Sequence, residues 1–255
     1  MSADPAAVEL SPRRILALWW PLALSWLLMG IELPLFTACV ARMPDPKVNL
    51  AAYGSLVFPI ALVIEAPIMM LLSAATALAV DRPAWDRVRR FTHKSSACLT
   101  ALHAAIAFTP LLDWLAGSVF RVPPEVVEPA RSGLRILLPW TWAIAYRRAH
   151  QGVLIRFERG RPVVIGTVVR LAGNGLVYGA GFALLARGVE VSGIVIGASA
   201  VACGVVSEAA FIGWCTRALL RARGLPAESV GPPLTRLGFL RCLAHRRTSP
   251  SCCPN

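Results

Sequence analysis

Ten polar or charged side chains fall inside long apolar stretches of this 255-residue sequence: Glu32, Glu65, His103, Arg147, Arg148, His150, Gln151, Arg170, Asn174 and Glu208. A charge in hydrocarbon costs several kcal/mol, so such residues face a partner or a wet cavity. Arg147, His150 and Gln151 are spaced i, i+3, i+4 and share one helical face, whereas Arg148 points elsewhere. Counted along a helix, Arg147, Arg170 and Glu208 all lie roughly 12–17 Å from the same membrane edge. The expectation is a basic, hydrogen-bonding patch of Arg147, His150, Gln151, Arg170 and Asn174, balanced in part by Glu208. Guanidinium forks match phosphate and carboxylate, so the patch suits an anionic substrate. The competing expectation is an internal ion-pair network that fixes helix register, such as Arg170 with Glu208. Glu65, near the middle of its stretch, and Glu32, in the outer part of its own, suit a proton- or cation-coupling carboxylate. The alternative for each is a carboxylate paired with an arginine or set at a proline-broken turn. His103 alone fits a hydrogen-bonded helix contact.

Six apolar stretches must position these groups: Ile15–Val40, Leu50–Val80, Ser95–Phe120, Leu134–Ile155, Val163–Ala186 and Val191–Leu219. Each matches the run of about 20 residues that crosses roughly 30 Å of hydrocarbon. With 56% hydrophobic and 16% charged residues and a mean hydropathy of +0.60, an ordinary soluble domain is excluded. The fold class expected is all-α integral membrane protein, a six-helix bundle over residues 15–220. A polar segment, 1–14, precedes it and a disordered tail, 221–255, follows it.

The net charge of +12 does not indicate nucleic acid, because the arginines collect in the short segments between apolar runs. One side gathers Arg13 and Arg14, the loop Asp81–Lys94, Arg156–Arg161, and Arg217–Arg223. By the positive-inside rule that side is cytoplasmic, with both termini inside and the protein in the plasma (inner) membrane. Cys39, Cys98, Cys203 and Cys215 sit singly in apolar runs and behave as small hydrophobes. No cysteine or histidine spacing marks a metal site, no glycine loop marks a nucleotide, and no cofactor is implied. Gly197-Ala198-Ser199-Ala200 lacks the second glycine and the later histidine of a six-span intramembrane serine protease, so an enzyme is not expected. Gly181, Gly188, Gly193, Gly197 and Gly204 suit close helix packing. Prolines 21, 34, 59, 67, 110 and 139 punctuate the spans.

Three segments carry a family resemblance: LSWLLMGIELPLFTACVARMPDP, NLAAYGSLVFPIALVIEAPIMMLLSAATAL and LPWTWAIAYRRAHQGVLIRFERGRPVVIGTVVRLAGN. Over about Arg14–Arg223 the chain resembles the amino-terminal lobe of bacterial transporters of the multidrug/oligosaccharidyl-lipid/polysaccharide flippase superfamily. Within it, the chain is most similar to the progressive-ankylosis-like and multidrug-and-toxin-extrusion-like branches. The resemblance implies two six-helix lobes around a central cavity and alternating-access transport or efflux of an organic or anionic solute, or of a lipid-linked sugar. It carries no family-wide catalytic residue. After Gly224–Pro233 the text turns arginine-rich, with Cys242, Cys252 and Cys253, and holds no further span. That change is expected if Thr235 onward is out of frame and the product is truncated and inactive alone. The alternatives are a half-transporter that pairs with itself or with a separately encoded lobe, and a non-transporting scaffold or assembly subunit.

Overall fold

The structure, a computed structural model, describes residues 12–226. The tail from Thr235, with its three cysteines, lies outside the described residues. Those described form ten helices and no strand: α1 (Pro12–Gly30), α2 (Glu32–Val40), α3 (Pro46–Ala52), α4 (Phe58–Leu78), α5 (Arg82–Phe108), α6 (Leu111–Trp114), α7 (Val127–Ile136), α8 (Leu138–Arg156), α9 (Arg161–Ala186) and α10 (Gly193–Arg223).

Proline and glycine chemistry shapes the long spans. Pro34 has no N–H for the carbonyl of Gly30, and the first span breaks at that point into α1 and α2. A π-helical turn, Tyr53–Val57, joins α3 to α4 without interrupting the rod. Pro110 ends α5, and the chain turns by 78° into α6 and a second π-helical turn, Leu115–Phe120. The third stretch is therefore a bent pair and not one straight rod. Asp81 accepts a bond from Ala84 N at 2.7 Å, and Pro83 sits in the first turn. These caps start α5 at Arg82, so the basic segment Asp81–Lys94, expected as a loop, is helical. Its buried positions Trp85, Val88 and Thr92 recur at helical spacing. The segment Arg121–Gly133, expected as a connector, likewise carries the start of α7.

Four helical rods are long and apolar enough to cross a membrane: Trp19–Val40, Pro46–Leu78, α9 and α10. The bent α5–α6 pair makes a fifth if it is one crossing. The fourth apolar stretch, α8, falls outside this group, because its 19 residues hold Arg147, Arg148, His150, Gln151 and Arg156. The physical reason is its place in the bundle. α8 runs through the middle, packed by α4, α5 and α10, and its surface from Ala143 to Leu154 is buried except at Tyr146. Protein surrounds it where lipid surrounds the others, so it needs no apolar exterior. The outward surfaces of the remaining rods carry exposed Trp19, Trp26, Val63, Leu176 and Trp214. Such a surface is stable only against acyl chains, and the chain is a multi-pass membrane protein.

Small residues draw the helices together, as expected for Gly181, Gly193, Gly197 and Gly204. Gly188, included in the same expectation, instead forms the turn after α9, where φ is +78°. α4 and α8 approach closely at Gly152. A Cβ there would stand 2.5 Å from Leu72 O and 2.6 Å from the Ala75 Cβ. Backbone is the obstacle, so no side chain can swing aside. Gly152→Val is expected to cost about 2–3 kcal/mol or to prevent folding. The midpoint of unfolding in detergent measures this, and an unchanged midpoint would mean that α4 and α8 are not in contact.

One buried polar residue outside the span pattern organises the end where α3 meets the start of α10. Asn49 donates to Pro44 O (2.9 Å) and Asp45 O (3.0 Å), and accepts from Ser192 Oγ (2.9 Å) and Ile194 N (3.2 Å). It stands in for the missing cap of α10 and ties that helix to α3.

Candidate functional site

Four helices bring their charged side chains to one buried line. From α10, the Glu208 carboxylate is fully enclosed and accepts from Arg147 Nη1 of α8. Gln151, one turn further along α8, donates to the other Glu208 oxygen at 3.3 Å. Arg170 of α9 stands on the same carboxylate, with Nη1 3.7 Å from Glu208 Oε2. That contact is an ion pair too long for a hydrogen bond. The other edge of the Arg170 fork grips Glu32 of α2: Nε donates to Oε1 at 2.8 Å, and Nη2 to Oε2. Asn174, on the next turn of α9, donates to Glu32 Oε1 at 2.9 Å. The order along the line is Glu32, Arg170, Glu208, Arg147. Burial this complete, 1% exposure for Arg147 and 4% for Arg170, is tolerable only because each charge meets its opposite.

The line was half legible. Arg147, Gln151, Arg170, Asn174 and Glu208 do come together. Glu32 joins them as the bidentate partner of Arg170, the alternative held open for that carboxylate. Helix register accounts for the meeting. Ser25 Oγ lies 2.8 Å from Thr167 Oγ1, which aligns parallel helices α1 and α9. Seven residues further along each, Glu32 meets Asn174.

His150 is not part of the line. Its ring lies against Tyr146 (centroids 4.1 Å apart) and edge-on to Trp85 (5.2 Å). His150 stands three residues from Arg147, about 60° off along the helix, and that offset turns it toward α5. Tyr146 accepts in turn from Arg217 at 2.9 Å. His103 makes the helix contact expected of it, Nδ1 to Thr141 Oγ1 at 2.9 Å.

Glu65 and Arg148 share the vicinity and are differently placed. Glu65 of α4 is 3% exposed, makes no hydrogen bond among the described residues, and has one oxygen sealed from solvent. It feels Arg147, Arg148 and Arg170 through space. Arg148 is 7% exposed, lies with its guanidinium carbon 5.9 Å from the Trp26 ring centroid, and has no carboxylate within 4 Å among the described residues. Three arginines and three glutamates thus form a neutral set in which two members, Glu65 and Arg148, have no direct partner. Sequence spacing correctly turned Arg148 away from Arg147. It gave no sign that the side chain reaches Trp26 of α1.

A cleft of about 660 Å³ opens apart from these groups, at the α8–α9 turn, lined by Leu22, Thr76, Ile155, Arg156 and Glu158 among others. Among the described residues no three histidine, cysteine or acidic side chains are grouped as metal ligands. The four cysteines of the spans are free thiols.

The sequence matches no protein-family model and no curated protein. The fold does have a solved counterpart, described as the outward-facing conformation of a multidrug resistance MATE family transporter of the MOP superfamily. The two superpose with a TM-score of 0.59 at 20% identity, over 89% of this chain and 49% of that one. The chain spans about half the length of that transporter, and at this identity the likeness is one of fold. All-helical, membrane-spanning and matched along nearly its whole described length, the chain has the fold of one lobe of a MATE transporter of the MOP superfamily.

Proposed function

We propose that this chain is a secondary-transporter lobe that moves an organic or anionic solute, or a lipid-linked sugar, by rocking against a second six-helix lobe. The observation that carries the reading is Glu65, a carboxylate buried in the bundle with a sealed oxygen and no hydrogen-bond partner among the described residues. An unpartnered acid at that depth contributes nothing obvious to stability and is what a proton- or cation-coupled carrier needs. In this reading α8 is the sixth crossing, both termini face the cytoplasm of a plasma membrane, and the second lobe comes from another copy or another chain.

The ion line supplies the switch. Arg170 is shared between Glu32 and Glu208, so it can give up one carboxylate and keep the other. Protonating Glu32 frees one edge of the guanidinium fork, which then meets a substrate anion. Arg147, Gln151 and Asn174 hold the remaining partners in place. Glu32 and Glu65 are the two coupling carboxylates, and Glu208 stays charged between its two arginines.

A scaffold is the second reading, favoured by the completeness of the Arg170–Glu32 and Arg147–Glu208 pairs. A finished ion-pair line can serve only to fix register. Glu32→Gln separates the two. Transport predicts that gradient-driven uptake into vesicles falls at least tenfold beyond any loss of folded protein. If uptake follows the amount of folded protein alone, the line is a clamp.

A further inference from the structure

The first turns of α5 carry a basic surface that the ion line does not use. Along this helix Arg87, Arg90 and Lys94, then Cys98, Leu102 and Ala105, follow one another by three or four residues. At about 100° per residue these six share one stripe. It lies opposite the buried positions Trp85, Val88, Thr92 and Ser96, and so faces away from the bundle. Arg87 is half-buried and the other five are exposed. Toward Phe108 the stripe is apolar. Toward Arg82 it is cationic, and the change falls between Cys98 and Lys94.

On a chain that crosses a membrane, an exposed apolar face meets acyl chains. Where that face turns basic it has reached the level of the lipid phosphates, toward which long cationic side chains extend. The cations here are unspent. Asp86 pairs with Arg89 at 3.3 Å, and among the described residues no carboxylate lies within 4 Å of Arg82, Arg87, Arg90 or Lys94. Arg87 Nε is buried without an acceptor. A donor already stripped of water gains most from an incoming oxygen. Arg82, Arg87 and Arg90 border a hollow of about 390 Å³, together with Pro83 and Asp86. The sequence beyond Pro226 sets Arg236, Arg241, Arg246 and Arg247 against Glu228, so it is itself cationic and is not the counter-charge.

We propose that the start of α5 holds the phosphate of an anionic glycerophospholipid. Arg87 and Arg90 grip the phosphate, Arg82 and Lys94 add charge beside them, and an acyl chain follows Cys98, Leu102 and Ala105. A free phosphate ion suits the same guanidiniums but leaves the apolar continuation of the stripe unused, and that continuation favours the lipid. The site stands independently of the transport reading.

The test is native mass spectrometry of the full chain in detergent, titrated with dioleoylphosphatidylglycerol and, in parallel, with dioleoylphosphatidylcholine. The first phosphatidylglycerol is expected to bind about tenfold more tightly than the first phosphatidylcholine. Arg87→Gln combined with Arg90→Gln is expected to cut that preference to about twofold or less. Arg159→Gln combined with Arg161→Gln removes as much charge from outside the stripe and is expected to leave the preference in place. If the Arg87 and Arg90 pair of changes does not fold, Arg90→Gln alone, at an exposed position, is expected to lower the preference about threefold. Inorganic phosphate at the lipid's own concentration is expected not to displace it. Equal affinity for the two lipids, or a preference lost equally in both double variants, overturns the proposal. A preference unchanged in a folded Arg87 and Arg90 double variant, or in Arg90→Gln, overturns it as well. Displacement by inorganic phosphate overturns the lipid assignment and gives the guanidiniums to a soluble anion.

Discussion

Glu208→Gln is expected to destabilise the folded lobe by about 3–5 kcal/mol, the cost of leaving a buried charge without its partner. The carboxylate is fully enclosed and answers three side chains from two other helices: Arg147, Gln151 and Arg170. An amide of the same shape keeps the packing and removes the charge. Arg147 then has one neutral oxygen in place of a carboxylate, and Gln151 faces a second amide. Arg170 keeps Glu32 and loses less. The same geometry predicts rescue. Arg147→Met combined with Glu208→Gln should recover much of the loss, because both charges leave together. Equilibrium unfolding in detergent of the two single variants and the double variant supplies the cycle. A single-variant cost below about 1 kcal/mol, or a double variant that merely adds the two losses, would mean that the pair is wet or not formed.

Glu65→Gln is expected to do the opposite. Uptake should fall on the order of a hundredfold, while the unfolding midpoint stays within about 1 kcal/mol of the parent. The carboxylate accepts no hydrogen bond from a described residue, so its replacement breaks none there. Its attraction to the three arginines is lost, but so is the cost of keeping an unpaired charge away from water. For coupling, an amide can neither take up nor release a proton, so the step that drives the cycle disappears. The contrast with Glu208 is the informative part: two glutamates buried to nearly the same degree, one expected to govern stability and the other flux. If Glu65→Gln unfolds the lobe as Glu208→Gln does, Glu65 is structural.

Residue patterning carried the class of the fold and the more local half of the site. Apolar runs place α9 and α10 within a few residues, and helical spacing brings Arg147 and Gln151 onto one face, where Glu208 meets them. Three things were hidden, each for a physical reason. The Glu32–Arg170 pair depends on how far α1 slides along α9, which Ser25 and Thr167 set across 142 positions of sequence. The polarity of α8 reflects helices packed around it, and only tertiary structure says that those helices replace lipid. Arg148 and Asn49 take their meaning from partners on distant elements: Trp26 for one, Ser192 and Ile194 for the other. A signal for Asn49 did exist, since an amide just after Pro44-Asp45-Pro46 suits a turn that caps something.

The central claim is that this lobe transports. Its most direct test is gradient-driven uptake of a panel of fluorescent organic anions and cations into membrane vesicles. The vesicles come from cells expressing the chain from its own locus and from cells in which it is deleted, so that any native partner lobe is present. The account predicts uptake of at least one anion that needs the chain and stops when the gradient is collapsed. Restoring the chain should recover that uptake, and restoring it as Glu65→Gln should not, at equal abundance. Uptake that is the same with and without the chain, or the same with Glu65→Gln as with the parent, would contradict it.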